Sequence, residues 1–93
     1  MIRTFADKRT GLLFEGRSVK RLPADVVERA RSKLLAIHVA ADISFLRAPP
    51  GNRLEALRGD RAGQHSIRVN DQWRICFVWR DGDACDVEFC DYH

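Results

Sequence analysis

Two arginines, Arg68 and Arg74, stand six residues apart in RVNDQWRICF, a stretch that reads as two strands joined by a turn. Pairing across NDQ sets Ile67 beside Ile75 and Arg68 beside Arg74, so both guanidinium groups fall on one face of a hairpin. Like charges directly opposite one another destabilise a sheet by up to about 1 kcal/mol. Either a carboxylate such as Glu88 or Asp86 offsets them in a solvated charge network, or an anion belongs between them. A planar guanidinium fork suits phosphate. Ser66, Glu88 and, at the end, Tyr92 share this face, and Arg58, just before GDRAG, could approach it from the preceding strand.

These side chains need a sheet, and the second half of the chain supplies the pattern for one. QHSIRV places His65, Ile67 and Val69 on one side, with Ser66 and Arg68 opposite. WRICFVW places Trp73, Ile75, Phe77 and Trp79 together, with Arg74, Cys76 and Val78 opposite. ACDVEFCDYH groups Cys85, Val87, Phe89 and Asp91 against Asp86, Glu88, Cys90 and Tyr92. A plain turn at Asp81-Gly82 would set Phe77 against Asp86 and Ile75 against Glu88, leaving charge on the core. A three-residue DGD loop, with Gly82 supplying a positive φ, instead pairs Phe77 with Val87 and Ile75 with Phe89. That register keeps the apolar face continuous.

The first half supplies what covers that apolar face. LPADVVERARSKLLAIHVA predicts a helix: Pro23 suits a first helical position, and Val27, Ala30, Leu34 and Ile37 make an apolar stripe. Arg29, Arg31 and Lys33 lie off the stripe, on what reads as a solvated face. IRTFA is a short first strand, DKRTGLLFEGRS a short helix, AADISFL a further helical turn, and RAPPGN a loop. The expected fold is α+β: an N-terminal strand and helices packed on one face of a twisted antiparallel sheet.

Composition narrows the class. Ninety-three residues make one modest domain, spanning 1–93, and 45% hydrophobic with 31% charged residues is globular rather than disordered. No apolar run approaches the ~20 residues of a membrane span, and MIRTFADKRT has no apolar signal core, so the cytoplasm is expected. Residues 1–58 hold twelve Lys/Arg against six Asp/Glu, whereas 59–93 hold four against seven. The first part suits a polyanion, but on charge alone a solvated surface with a mild basic excess is the preferred reading, since charge bears on partners rather than fold.

The segment from LEALRGDRAGQHSIRVNDQWRICF to the terminal DYH resembles the HigB branch of the RelE-like toxins of bacterial toxin–antitoxin systems, and the resemblance spans nearly the whole chain, including the opening MIRTFADK. The most specific parts are L-x-x-L-[KR]-G-D-R-x-G, S-I-R-x-N-x-Q-W-R-I-x-F and D-Y-H. The resemblance implies a RelE-like fold and a metal-independent, cofactor-free mRNA interferase acting in the ribosomal decoding site. The ribose 2′-OH would attack the adjacent phosphorus, leaving a cyclic phosphate and a free 5′-OH. It also implies a helix-turn-helix antitoxin (HigA-like), with operator DNA reached only through the antitoxin complex. Arg58 then matches a basic position for phosphate binding or proton handling. Arg74 would stabilise charge on the phosphorane, and Arg68 would add a cation. Asp91, Tyr92 and His93 match the terminal acid/base or base-stacking motif. Glu55 departs from a histidine that some relatives carry; it could serve as general base or be a plain surface residue. A non-catalytic scaffold binding antitoxin or RNA through the same basic face is the alternative.

Other constellations are weaker. The three cysteines form no C-x-x-C pair, and Cys85 and Cys90, five apart, are expected on opposite faces of one strand. Cys76 and Cys90 could be neighbours on the arginine face, where small filler residues are expected rather than a reactive thiol. His38 reads as an ordinary helix residue, and His65, Trp73 and Trp79 as core.

Overall fold

The computed structural model describes residues 1–91; Tyr92 and His93 lie outside the described residues. Helices α1 (Lys8–Phe14) and α2 (Ala24–Val39) precede the strands β1 (Glu55–Ala56), β2 (His65–Arg68), β3 (Trp73–Arg80) and β4 (Asp83–Asp91). The strands form one antiparallel sheet in the order β1-β2-β3-β4. Short 3-10 turns at Ile43–Leu46, Pro50–Asn52 and Gly59–Arg61 connect α2 to the sheet and β1 to β2.

Helix α1 starts where Asp7 accepts the Thr10 backbone N–H at 2.8 Å, which satisfies an otherwise orphaned donor. The Thr10 hydroxyl donates to Asp7 at 2.6 Å and accepts the Phe89 N–H at 2.9 Å. That buried hydroxyl therefore ties α1 to the far end of β4. Arg9 adds a second tie: it donates to the Phe89 carbonyl at 2.8 Å and lies over the stacked Trp73 and Phe89 rings.

Helix α2 forms as the periodicity requires, with Pro23 one residue earlier than expected, at the N-cap. Its buried stripe is Val26, Ala30, Leu34 and Ile37; Val27 is only partly buried. This stripe meets Leu13, Leu46 and the sheet residues Ile67, Ile75, Phe77, Val87 and Phe89 in one core. Lys33 does not stand on a solvated face. Its ammonium donates to Oδ1 of the buried Asn52, whose Nδ2 donates to the Leu46 carbonyl at 3.1 Å, and this fastens the loop before β1. Desolvation, then Arg29 and Arg68, lower the Lys33 pKa.

The β2–β3 register is the expected one, Ile67 opposite Ile75 and Arg68 opposite Arg74. At β3–β4, Ile75 does face Phe89, but the extra residue sits elsewhere. Arg80 pairs with Asp83 across a two-residue Asp81-Gly82 turn with both φ angles positive, 52° and 82°. The shift comes instead at a bulge around Asp86, φ 52°, between the Cys76–Glu88 and Val78–Cys85 pairs. A tight turn and a continuous apolar face are thus both kept. The bulge also reverses the expected facing at the start of β4: Ala84 is buried opposite Trp79, and Cys85, opposite Val78, joins the face of Cys90.

The expected first strand is reduced to two parallel bridges, Ile2 with Ala84 and Phe5 with Val87. At the bulge the Asp86 N–H is taken by the Thr4 hydroxyl at 2.9 Å, so the ladder cannot run on. His38 accepts the Ile2 N–H at 3.1 Å, a defined role for a residue expected to be ordinary. No helix among the described residues is long and apolar enough to cross a membrane.

Candidate functional site

The helices cover one face of the sheet, and the other carries Glu55, Ser66, Arg68, Arg74, Cys76, Glu88 and Cys90. Arg74 is its centre. Only 7% of it is exposed, an unusual state for an arginine that must be matched by hydrogen bonds. Its Nε donates to Ser66 Oγ at 2.8 Å, and Nη2 donates to the Arg53 carbonyl at 2.7 Å and the Ser66 carbonyl at 3.3 Å. The Arg53 carbonyl reaches it because Arg53 closes the Pro50–Asn52 turn in the left-handed conformation, φ 45°. Glu55, 48% exposed at its side chain, places Oε1 3.6 Å from Nη2.

The opposed arginines do not form a shared clamp by themselves. Arg68 turns to Asp71 of the β2–β3 turn, an ion pair that holds the Asp71 carboxyl below its ordinary 3.8. The compensating acids are therefore Asp71 and Glu55, not Glu88 or Asp86. Glu88 is held by Arg61, and Asp86 makes the exposed bulge. Each cation keeps a separate partner, which removes the cross-strand repulsion that the pairing alone would create.

Arg61, unassigned in the sequence reading, lies on this face. Its Nη1 donates to Gln64 Oε1 at 3.0 Å and Glu88 Oε1 at 3.1 Å, and Nη2 approaches Cys90 Sγ at 3.4 Å. The Glu88 hydrogen bond raises its pKa further. Its one sequence signal was the second arginine of RGDR, which strand alternation could not place because a 3-10 turn carries it.

The remaining predicted residues spread around this centre. Arg58 precedes the Gly59–Arg61 turn with an extended backbone and an exposed side chain. Asp91 ends β4 opposite Trp73, so alternation sets it on the helix side of the sheet rather than among the arginines; it is exposed, and Gln72 Nε2 donates to its Oδ2 at 3.3 Å. Tyr92 and His93 follow it, outside the described residues. Glu55 and Arg74 are brought into contact, and Arg68 lies beside Arg74 in the sheet. No group of three or more His, Cys, Asp or Glu among the described residues is placed to hold a metal ion. No enclosed pocket forms among them either, and the centre of the face, Arg74 with Ser66 and Cys76, is buried beneath its exposed rim of Glu55 and Arg58.

Comparison with known proteins gives this surface a lineage. The family model described as RelE-like toxin of type II toxin-antitoxin system HigB matches residues 3–93. Endoribonuclease HigB of Proteus vulgaris is 40% identical over 93 residues, covering all of both chains. Toxin HigB-1 of Vibrio cholerae is 43% identical over 84 residues, 89% of this chain and 88% of that one. Among solved structures, the YoeB-YefM complex from Staphylococcus aureus aligns with a TM-score of 0.63 at 15% identity, covering 100% of this chain and 98% of that one. The YoeB dimer from the same organism gives 0.62 at 17%, covering 99% and 97%. At such identities the structural likeness speaks to the fold, and it is a likeness of helices packed on one face of an antiparallel sheet. With full-length sequence matches beside that fold, this chain belongs to the HigB family of RelE-like toxins of type II toxin–antitoxin systems.

Proposed function

We propose that the arginine face is the active surface of a metal-independent endoribonuclease that cuts messenger RNA in the ribosomal decoding site. The observation that carries this reading is Arg74, buried yet charged, with its guanidinium held by Ser66, the Arg53 carbonyl and Glu55. A fork fixed in this way is ready before RNA arrives, and preorganised donors stabilise developing charge without reorganisation. The 2′-OH of one ribose attacks the adjacent phosphorus in line, forming a cyclic phosphate and releasing a 5′-OH. Arg74 stabilises the charge gathering on the phosphorane oxygens; Arg58 and Arg68 hold the flanking backbone. Glu55, beside Arg74, takes the 2′-OH proton. Asp91, Tyr92 and His93 serve the leaving-group side, by proton donation or by stacking on a base.

In this reading the ribosome supplies the second surface that bends the strand into the in-line geometry. A cognate antitoxin is the other partner in this reading. The name Endoribonuclease HigB of the Proteus vulgaris relative supports the chemistry, and the YoeB-YefM toxin-antitoxin heterotetramer supports a protein partner.

Primer extension on one message, translated or free of ribosomes, tests this with wild type and Arg74→Ala. New 5′ ends are expected on the translated message alone, with a loss of roughly 10²–10³ in rate for Arg74→Ala. Equal cutting of free RNA overturns the ribosome requirement. Absence of ends in both conditions points to the non-catalytic scaffold.

A further inference from the structure

The Arg53 carbonyl that receives Arg74 Nη2 at 2.7 Å belongs to a backbone that does not hold its shape unaided. Arg53 is exposed and left-handed, φ 45° and ψ 54°, a region in which a residue other than glycine persists only where its surroundings fix it. The residue before it supplies the fixing. Asn52, only 1% exposed, donates from Nδ2 to the Leu46 carbonyl at 3.1 Å and accepts at Oδ1 from the Lys33 ammonium of α2. We propose that Lys33 and Asn52 are positioning residues for catalysis, which hold the Arg53 carbonyl where it orients the Arg74 guanidinium. The catalytic part rests on the nuclease reading above; the orientation of Arg74 does not.

The path from the core to Arg74 is continuous. Helix α2 is fixed to the sheet by Val26, Ala30, Leu34 and Ile37, and Lys33 is carried on that helix. Leu46 belongs to the same core. Asn52 is therefore clamped between two core elements, by its donor on one side and its acceptor on the other. An amide is the side chain that does both at once; an aspartate would only accept, and would leave the Leu46 carbonyl without its donor. The Asn52 backbone N–H donates to the Pro49 carbonyl at 2.9 Å and the Arg53 N–H to the Pro50 carbonyl at 3.3 Å, which closes the turn around the clamped residue. The Arg53 carbonyl follows one peptide unit later and inherits that fixity.

Lys33 contributes through its hydrogen bond and not as one more cation. Arg29 and Arg68 stand near enough to disfavour its charge, so electrostatics alone gives no reason for a lysine here. The bond to Asn52 does. At the far end of the path, Ser66 Oγ holds Arg74 Nε at 2.8 Å while the Arg53 carbonyl holds Nη2. The guanidinium cannot turn about its Cζ–Nε bond without giving up the Nη2 contact. Loosening the Pro50–Asn52 turn therefore frees that rotation and leaves the charge and the Ser66 contact in place.

The test uses the purified full chain as wild type, Lys33→Met, Asn52→Ala, Arg29→Met, and Lys33→Met combined with Arg74→Ala. NMR of labelled arginine side chains reads rotation about the Arg74 Cζ–Nε bond without any RNA. Rotation should be slow in wild type and Arg29→Met, and roughly tenfold faster in Lys33→Met and Asn52→Ala. Unchanged rotation in both of these overturns the positioning role. For a translated message kcat should fall roughly tenfold in the same two variants, with KM little changed. Lys33→Met should cost nothing further once Arg74 is alanine. A loss that persists without Arg74, or an equal loss in Arg29→Met, overturns the role as well, because damage elsewhere or lost charge is then the cause. Should Asn52→Ala fail to fold, Lys33→Met decides alone, since it keeps the aliphatic stem and the Asn52–Leu46 bond. Faster rotation in variants of a protein whose wild type cuts no RNA reports failure of the nuclease reading, and not of the contacts that orient Arg74.

Discussion

Ser66→Ala is the sharpest probe of how the fold prepares Arg74. The hydroxyl is fully buried and accepts Nε at 2.8 Å, while the bond from Nη2 to the Arg53 carbonyl at 2.7 Å does not depend on it. The substitution keeps the charge, the backbone and one firm anchor, and frees rotation about the other. A hydrogen bond to a charged group contributes about 1.5–3 kcal/mol. Hydroxyl and guanidinium are both buried, so water replaces little of it and the upper end applies. For a domain of this size each kcal/mol moves Tm by about 4–8 °C. A misplacement of about 1 Å at a reacting centre can cost 10²-fold in rate; a guanidinium still held at Nη2 should lose roughly tenfold or somewhat more. The loss should fall on kcat with KM little changed, since the charge that attracts RNA remains. The assay is cleavage of a translated message over a range of message concentrations, beside thermal unfolding. Wild-type kcat with the expected drop in Tm would refute preorganisation of Arg74 as the source of catalysis.

Thr10→Val keeps the backbone N–H that Asp7 caps but removes the buried hydroxyl that donates to Asp7 and accepts the Phe89 N–H, and should cost about 2–3 kcal/mol in urea unfolding. Gly82→Ala should cost about 1–2 kcal/mol; the cause is φ 82° and not space, since the nearest atom to an added Cβ is the Ala41 carbonyl oxygen at 3.8 Å. Asp83 accepts from Arg3 at 2.9 Å and pairs with the amino terminus at 3.3 Å, and its pKa is lowered from 3.8, chiefly by the Arg3 bond. The unfolded chain then binds more protons in that range, so this contribution is present above about pH 4 and fades as pH falls through the folded value. Asp83→Asn should flatten the acid limb of the stability curve, and an unchanged limb would show that the pairing adds nothing.

Periodicity in the chain was enough to assign the α+β class, the helix over Ala24–Val39, the Arg68–Arg74 pairing and the polar face opposite the core, because these follow from which side chains must leave water. The family resemblance pointed to Arg58, Arg68 and Arg74, and singled out Glu55 only as a departure from its pattern. Tertiary structure decided the rest. A one-residue shift can be absorbed at a turn or at a bulge with the same burial, and only the contact with the N-terminal segment puts it at Asp86. Which acid answers which arginine depends on the loops at Arg53, Asp71 and Arg61, whose approach no alternation of residues encodes. Local pattern fixes the face on which a side chain emerges; the partner it meets there is set by segments distant in sequence, and that is what turned two opposed charges into one buried, fixed guanidinium.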